Sequence, residues 1–296
     1  MTEAEQPAID AHEDPDLFRE ALNFTAAETF FPERLIEKDY FCTVLLKYLA
    51  SFGGQLIFKG GTCLAKVHAG FYRLSEDLDF VIPTPLTASR SQRRRRVTAL
   101  KNAVAGLAER VPCFRVTGQL LGADDSSQYV GTVSYSSLIS RRDETITIEV
   151  SLREPLLMPT MEGSVRTLLL DPVSGRRMVS PAVVPCIARV EAIAEKYRAA
   201  LTRRDVAIRD FYDVDYAARK LSIRPEDTEL VGLVRRKLAV PGNGPINVGP
   251  DRLAQLRAQL DARLKPVLRR PDADAFDLDR AFGIVREMAE RLPVAS

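Results

Sequence analysis

The chain has 296 residues, of which 46% are hydrophobic and 28% charged, and a formal net charge of +2. This composition is typical of a soluble globular protein, and no apolar run approaches the ~18 residues that a membrane span needs. The first residues lack the basic start and apolar stretch of a signal peptide, so we expect a cytoplasmic protein.

The N-terminal part is strongly acidic. Residues 1–39 contain 11 acidic and 3 basic residues, a net charge of −8, so the remainder carries +10. We interpret residues 1–32 as an acidic, partly disordered leader. The basic excess of the remaining chain is compatible with a nucleic-acid partner.

Helical and extended segments alternate after the leader. Apolar residues at helical spacing in PERLIEKDYFCTVLLKYLASF predict a long helix that ends at Gly53-Gly54. QLIFK then reads as a short buried strand, GGTCLAKVHAG as a glycine turn feeding a helix, and DLDFVIP as a second strand closed by Pro83.

A second group of elements follows. Residues 86–110 are predicted to be helical and contain Arg90 and the run Arg93–Arg96. CFRVTG, YVGTVSYSS and ETITIEVSL read as strands, and another β-like segment is predicted near residues 166–179. The strand ETITIEVSL alternates cleanly, with apolar residues on one face and Thr145, Thr147 and Glu149 on the other.

The composition changes near residue 183. From there the periodicity predicts helices over residues 186–202, 207–221, 226–239, 251–265 and 277–292. The sequence therefore predicts an α/β (α+β) domain with a mixed sheet over residues 33–182 and an all-α domain over residues 183–296.

The four cysteines, Cys42, Cys63, Cys113 and Cys186, are far apart and form no C-x-x-C pair. We interpret them as small apolar residues in a reducing compartment rather than as metal ligands or a disulfide framework.

The stretch FKGGTCLAKVHAGFYRLSEDLDF carries the chemistry. Gly60-Gly61 lets the backbone turn sharply and approach a ligand closely, and the N–H groups of the following helix favour a phosphate. Lys59 and Thr62 can add a positive charge and a hydroxyl donor. Asp77 and Asp79 are two apart in a predicted strand and share a face, as a Mg²⁺ clamp requires. Together these features indicate a nucleoside triphosphate site.

These motifs resemble the DNA polymerase β-like nucleotidyltransferases, and most closely the AbiEii/MenT group of toxins from toxin–antitoxin systems. The matching motifs are EKDY (Glu37–Tyr40), FKGGT (Phe58–Thr62), RLSEDLDF (Arg73–Phe80), a helix with Lys196, and RDFYD (Arg209–Asp213). The resemblance spans roughly residues 33–216. Gly61-Thr62 departs from the family pattern, which often has serine after the first glycine.

The resemblance implies a role for each matching position. Asp77 and Asp79 would bind Mg²⁺ (Mn²⁺ is the alternative), with Glu149 as the third carboxylate. Lys196 would contact the triphosphate beside Lys59, Gly60, Gly61 and Thr62. Asp213 would complete the late motif, with Asp210 beside it, and Ser75 stands where this group can be phosphorylated by its antitoxin or by itself.

Each of these residues also has a plainer interpretation. A D-x-D pair is commonly just solvated, and Glu149 alone would read as an exposed carboxylate on a sheet face. Lys196 would be a solvated lysine with a buried stem, and Asp210 and Asp213 would pair with nearby arginines. The run Arg93–Arg96 would be a solvated helix face.

The implied reaction transfers NMP from an NTP to an RNA acceptor, by resemblance the tRNA 3′ end, which blocks aminoacylation. The implied partners are tRNA and a cognate antitoxin. A small-molecule or protein-directed nucleotidyltransferase differs only in acceptor, and an acceptor screen separates these enzymes. A nucleotide-binding protein with a degenerate site would release no pyrophosphate, and a kinase-like transferase would release a nucleoside diphosphate.

Overall fold

A computed structural model describes residues 10–51 and 55–292. The chain divides into two compact units. The first contains the described residues up to Pro155 together with Glu162–Cys186, and the second contains Leu156–Met161 and the described residues from Ile187 onward. The sequence placed this division at residue 182, whereas the structure places it after a strand that ends at Cys186.

The predicted leader is largely helical. Helix α1 (Pro15–Thr29) begins with the Asp14 carboxylate capping two backbone N–H groups and with a proline at its first position. Phe18 and Leu22 on this helix are buried. The described part of the predicted leader is therefore mainly helical, because its apolar residues recur at helical spacing, and residues 1–9 lie outside the described residues.

Most residues of helix α2 are buried, because other elements cover this helix on several sides. Its predicted end at Gly53-Gly54 lies outside the described residues. A π-helical turn, Leu64–His68, follows directly on the short helix after the first strand. The helices are α2 (Glu33–Ala50), α3 (Gly60–Cys63), α4 (Arg90–Ala105) and α5 (Leu107–Arg110).

The described part of the first unit contains one mixed sheet. Its strands in chain order are β1 (Ile57–Lys59), β2 (Leu78–Val81), β3 (Phe114–Ala123), β4 (Gln128–Ser136), β5 (Asp143–Ser151), β6 (Met161–Val165) and β7 (Ala182–Cys186). Their order across the sheet is β3-β4-β5-β2-β1-β7-β6. Strand β2 runs antiparallel to β1 and parallel to β5, so the two strands predicted around the glycine turn lie at the centre.

The alternating pattern of β5 places apolar and polar residues on opposite faces of the sheet, as the sequence predicts. Ile146, Ile148 and Val150 are fully buried, whereas Glu149 between them is half-exposed on the opposite face. The segment predicted to be β-like near residues 166–179 contains no strand but does contain one antiparallel β-bridge, between Leu170 and Arg177. In that segment Asp171 accepts hydrogen bonds from the N–H groups of Val173 and Ser174, which makes a turn.

The second unit is helical, as the sequence predicts. The carboxylate of Glu191 accepts hydrogen bonds from the backbone N–H groups of Leu157 and Met158, and these bonds attach the segment 156–161 to this unit. Glu191 also pairs with the fully buried Lys237 at 2.7 Å. The helices are α6 (Arg189–Thr202), α7 (Ile208–Lys220), α8 (Thr228–Leu238), α9 (Pro250–Arg257), α10 (Arg270–Asp274) and α11 (Leu278–Arg291).

Helix length and hydropathy bear on membrane insertion. Among the described helices, none combines the length and the apolar character that crossing a bilayer requires.

Candidate active site

Three charged residues form a row across the centre of the sheet. Lys59 on β1 is the direct partner of Asp79 on β2, and Asp79 is the direct partner of Glu149 on β5. Directly paired residues on neighbouring strands lie on the same face about 5 Å apart, so this row places one lysine and two carboxylates side by side.

Asp77 precedes β2 by one residue and is half-buried. Its backbone carbonyl accepts a hydrogen bond from the hydroxyl of Thr62, which is buried. The hydroxyl that the sequence assigned to a ligand is therefore engaged with the chain itself. In this arrangement Thr62 fixes the glycine turn against the start of the strand that carries the two aspartates.

Neither glycine of the turn leaves room for a side chain, because atoms of neighbouring residues lie too close. A Cβ on Gly60 would lie 2.0 Å from Oδ2 of Asp79, and Gly60 has a φ of +76°. A Cβ on Gly61 would lie 2.6 Å from Nη2 of the buried Arg73 and 3.1 Å from Oγ of Ser75. The turn therefore lies directly against the Asp79 carboxylate and beside the Ser75 hydroxyl.

Glu149 is oriented by a residue outside every motif of the sequence. Gln128, on the neighbouring strand β4, donates a hydrogen bond from Nε2 to Oε1 of Glu149 at 2.8 Å. Gln128 is the first residue of β4 and belongs to no recognisable motif. The sequence therefore does not indicate this contact.

The oxygen donors of Asp77, Asp79 and Glu149 suit Mg²⁺ in chemistry, because hard cations take oxygen ligands. Ligands of a single Mg²⁺ at 2.0–2.1 Å must lie within about 4.2 Å of one another. Within the described residues, the group whose ligand atoms all lie within 4.8 Å contains other side chains, so these three carboxylates do not form such a group. Binding of one Mg²⁺ by all three carboxylates would therefore require at least one of these side chains to rotate.

The EKDY motif holds the loop in front of Asp77. Nζ of Lys38 lies 3.0 Å from Oε2 of Glu76, and Nη2 of Arg34 lies 3.3 Å from the same oxygen. Glu76 immediately precedes Asp77, so both cations of α2 restrain the segment that carries the first aspartate.

The next residue of the motif is buried with a lysine. Asp39 pairs with Nζ of Lys66 at 2.5 Å and accepts a hydrogen bond from the N–H of Leu168 at 2.8 Å. Glu37 accepts hydrogen bonds from Ser137 and Leu138, and its burial raises the pKa of this carboxyl. These contacts give the motif a structural function: it ties α2 to several loops of the first unit.

The late motif forms a compact ion cluster in the second unit. Nζ of Lys196 lies 2.9 Å from Oδ1 of Asp210 and 2.9 Å from Oδ2 of Asp213. Arg203 approaches Asp210 at 3.5 Å. The Lys196 side chain is 15% exposed and that of Asp213 is fully buried, so this lysine is not a freely solvated one.

We expect Lys196→Met to lower the free energy of unfolding by about 2–4 kcal/mol, because it leaves two buried carboxylates without their shared cation. The measurement is urea denaturation of the purified variant. Lys265→Met is the matched control: Lys265 pairs with Asp261, but both side chains are more than half exposed, and its loss should cost less than about 0.5–1 kcal/mol. Equal stability of the two variants would contradict the cluster's structural importance.

A mixed sheet that holds a glycine turn against an aspartate, with a lysine and a glutamate beside it, is the arrangement that the motifs of a nucleotidyltransferase predict. The chain belongs to the family described as nucleotidyl transferase AbiEii toxin, type IV toxin–antitoxin system, whose model matches residues 44–282. This match confirms the family named from the sequence motifs, and it extends through most of the helical unit.

A solved structure supports the fold. The crystal structure of JHP933 from Helicobacter pylori has a TM-score of 0.51 and 17% sequence identity, covering 88% of this chain and 92% of that chain. A second H. pylori crystal structure, described as a candidate nucleotidyltransferase, has a TM-score of 0.46 and 16% identity over 92% of this chain and 93% of that chain. The first likeness shows the fold alone, and the second is too distant to carry an argument. No curated protein matches the chain.

Proposed function

We propose that this toxin-family nucleotidyltransferase transfers NMP from an NTP to the 3′ end of tRNA in the cytoplasm, with Mg²⁺ as its cofactor. The observation that carries the proposal is the row of Lys59, Asp79 and Glu149, with Gly60 held against Asp79. Transfer to a tRNA 3′ end would block aminoacylation and so give the toxic effect.

Each residue of the candidate site would have a separate role in the reaction. Asp77 and Asp79 would hold Mg²⁺, which would neutralise phosphate charge and lower the pKa of the attacking hydroxyl. Glu149, which accepts a hydrogen bond from Gln128, would accept the proton of that hydroxyl. Lys59 and the turn Gly60–Thr62 bind the triphosphate and orient its α-phosphorus. The contact of Lys196 with the triphosphate stays a prediction of the family resemblance.

The chain offers a basic surface for the RNA. Ser89 and Gln92 form a capping box that starts α4, and Val97 and Leu100 bury one side of this helix. Arg94, Arg95 and Arg96 are exposed, and Arg96 also donates a hydrogen bond to the carbonyl of Pro83 at 3.1 Å. Exposed arginines on one helix suit a polyanion, because each can neutralise a backbone phosphate.

We expect the double variant Arg94→Gln/Arg95→Gln to weaken tRNA binding and to reduce the slope of log K against log salt concentration by about 1–2, as the loss of two phosphate contacts requires. The measurement is filter binding of tRNA at several salt concentrations. Arg286→Gln/Arg291→Gln, which alters arginines paired with glutamates on α11, is the control. An unchanged slope in the α4 variant would exclude this helix from the RNA-binding surface.

Ser75 gives the antitoxin a point of control. Its hydroxyl faces Gly61, and a phosphate added there would place about two negative charges beside the glycine turn. That charge would repel the triphosphate, so an antitoxin acting on Ser75 could inhibit the enzyme without covering it.

The leaving group and the acceptor test the proposed reaction. Incubation with α- or γ-labelled NTP and tRNA should release labelled pyrophosphate only from the γ-label and should transfer only the α-label. Release of a nucleoside diphosphate would indicate phosphoryl transfer instead. Label on an aminoglycoside or on a protein, but not on RNA, would favour the alternative acceptors.

A further inference from the structure

Two cysteines and a histidine that are distant in sequence lie together in the first unit. The ligand atoms of Cys63, His68 and Cys186 all lie within 4.8 Å of one another. Both cysteines are fully buried and His68 is half-buried. The structure therefore brings two of the buried, unpaired-in-sequence cysteines next to a histidine, which their distance along the chain did not indicate.

The backbone builds this cluster in two ways. Cys63 ends α3, and the π-helical turn that follows has i→i+5 hydrogen bonds, which bring His68 round to the side of Cys63. Cys186 is the last residue of β7 and pairs with Phe58 on β1. Strand β1 leads directly into α3, so this pairing brings Cys186 alongside that helix.

A glycine keeps space beside the cluster. A Cβ on Gly163, in β6, would lie 2.7 Å from Sγ of Cys186 and 2.8 Å from a methyl group of Val67. The buried Gly163 therefore allows the sheet to pass close to the sulfur, and a larger residue there would displace Cys186 from its two neighbours.

We propose that Cys63, His68 and Cys186 form a zinc site. Tetrahedral Zn²⁺ binds thiolate at about 2.3 Å and imidazole at about 2.0–2.1 Å, which puts these ligand atoms about 3.5–3.8 Å apart. The observed cluster is within a small side-chain adjustment of that geometry. Among the described residues, no fourth His, Cys, Asp or Glu joins the group, so water takes the fourth position from the side of His68.

The charges of the site are suited to its burial. Zn²⁺ with two thiolates and a neutral imidazole has no net charge, so the complex avoids most of the desolvation penalty of a buried ion. Binding releases the two thiol protons.

The consequence of the site would be local stability. Zinc would link the helical turn after Thr62 to the end of β7, and so brace the element that holds the glycine turn. This inference does not rest on the proposed reaction, because metal binding can be measured without any nucleotide.

The test is metal binding by the full chain after reduction and dialysis against a chelator. Zn²⁺ should bind at about one ion per chain and raise the midpoint of thermal unfolding by several degrees. Co²⁺ should give the visible bands of a tetrahedral complex and a thiolate charge-transfer band. Cys186→Ser and His68→Gln should lose both signals, whereas Cys113→Ser, a matched change outside the cluster, should keep them.

Two results would overturn the proposal. The first is wild-type protein with no thiolate charge-transfer band, including the case in which Cys63 and Cys186 form a disulfide and bind no metal. The second is a full signal in His68→Gln, whose half-exposed position makes it the variant with the smallest effect on folding. Either result would mean that the three residues pack against one another and bind no metal.

Discussion

Asp79→Asn is expected to lower the rate of nucleotidyl transfer by at least ~10³-fold while leaving the fold intact. Asp79 pairs directly with Lys59 and Glu149 across the sheet. A metal ligand supplies several kcal/mol of transition-state stabilisation, and each 1.36 kcal/mol is a factor of ten in rate. Asparagine has the same size but only one oxygen and no charge, so the substitution removes the chemistry and keeps the packing.

Asp143→Asn is the matched control, because Asp143 lies at the far end of β5, is exposed, and pairs with Arg115. It should keep the wild-type rate, and both variants should keep the wild-type circular dichroism spectrum. Wild-type turnover in Asp79→Asn would contradict the assignment of the site.

Gly60→Ala should be the second most damaging change, with a rate loss of at least ~10²-fold. The added Cβ would lie 2.0 Å from Oδ2 of Asp79, so the carboxylate or the turn has to move. A displacement of about 1 Å in a catalytic group can cost ~10²-fold in rate. The positive φ of 76° adds a backbone cost of about 1–2 kcal/mol to the free energy of unfolding.

Gly70→Ala separates these two effects. Gly70 also has a positive φ, of 61°, but a Cβ there would meet nothing within 4 Å. It should lose about 1 kcal/mol of stability by the same backbone argument and keep its turnover. If Gly60→Ala and Gly70→Ala lost the same activity, the close approach to Asp79 would not matter for the reaction.

Much of the first unit could be predicted, because its strand and motif patterns are visible within short stretches of the sequence. The strand pattern of β5 and the D-x-D spacing each depend on a two-residue period, which the sequence shows directly. The pairing of Asp79 with Glu149 needed the family resemblance, because nothing local says that β2 and β5 are neighbours. Most of the helical segments from residue 186 onward were recognised for the same local reason as the strands.

The features that the sequence did not predict depend on contacts between distant segments. The cluster of Cys63, His68 and Cys186 requires the pairing of β7 with β1, and the spacing of five residues between Cys63 and His68 does not face one side of an ordinary α-helix. The EKDY motif was recognised as a family signature, but its structural function became clear only from the contacts of Lys38 and Asp39.

Helix α1 lies where the sequence predicted a leader, and it was missed for a different reason. Net charge dominated the interpretation of residues 1–32, yet Phe18, Leu22 and the Asp14 cap are enough to order α1 against the first unit. The acidic side chains lie mainly on its exposed side, where they cost little.

The most direct test of the proposed reaction is the transfer of label from each of four α-³²P-labelled NTPs to total tRNA, with Mg²⁺ present and Asp79→Asn alongside. We predict a labelled tRNA band with at least one NTP, located at the 3′ end and absent from the variant. Folded wild-type protein that labels no tRNA with any NTP would contradict the account.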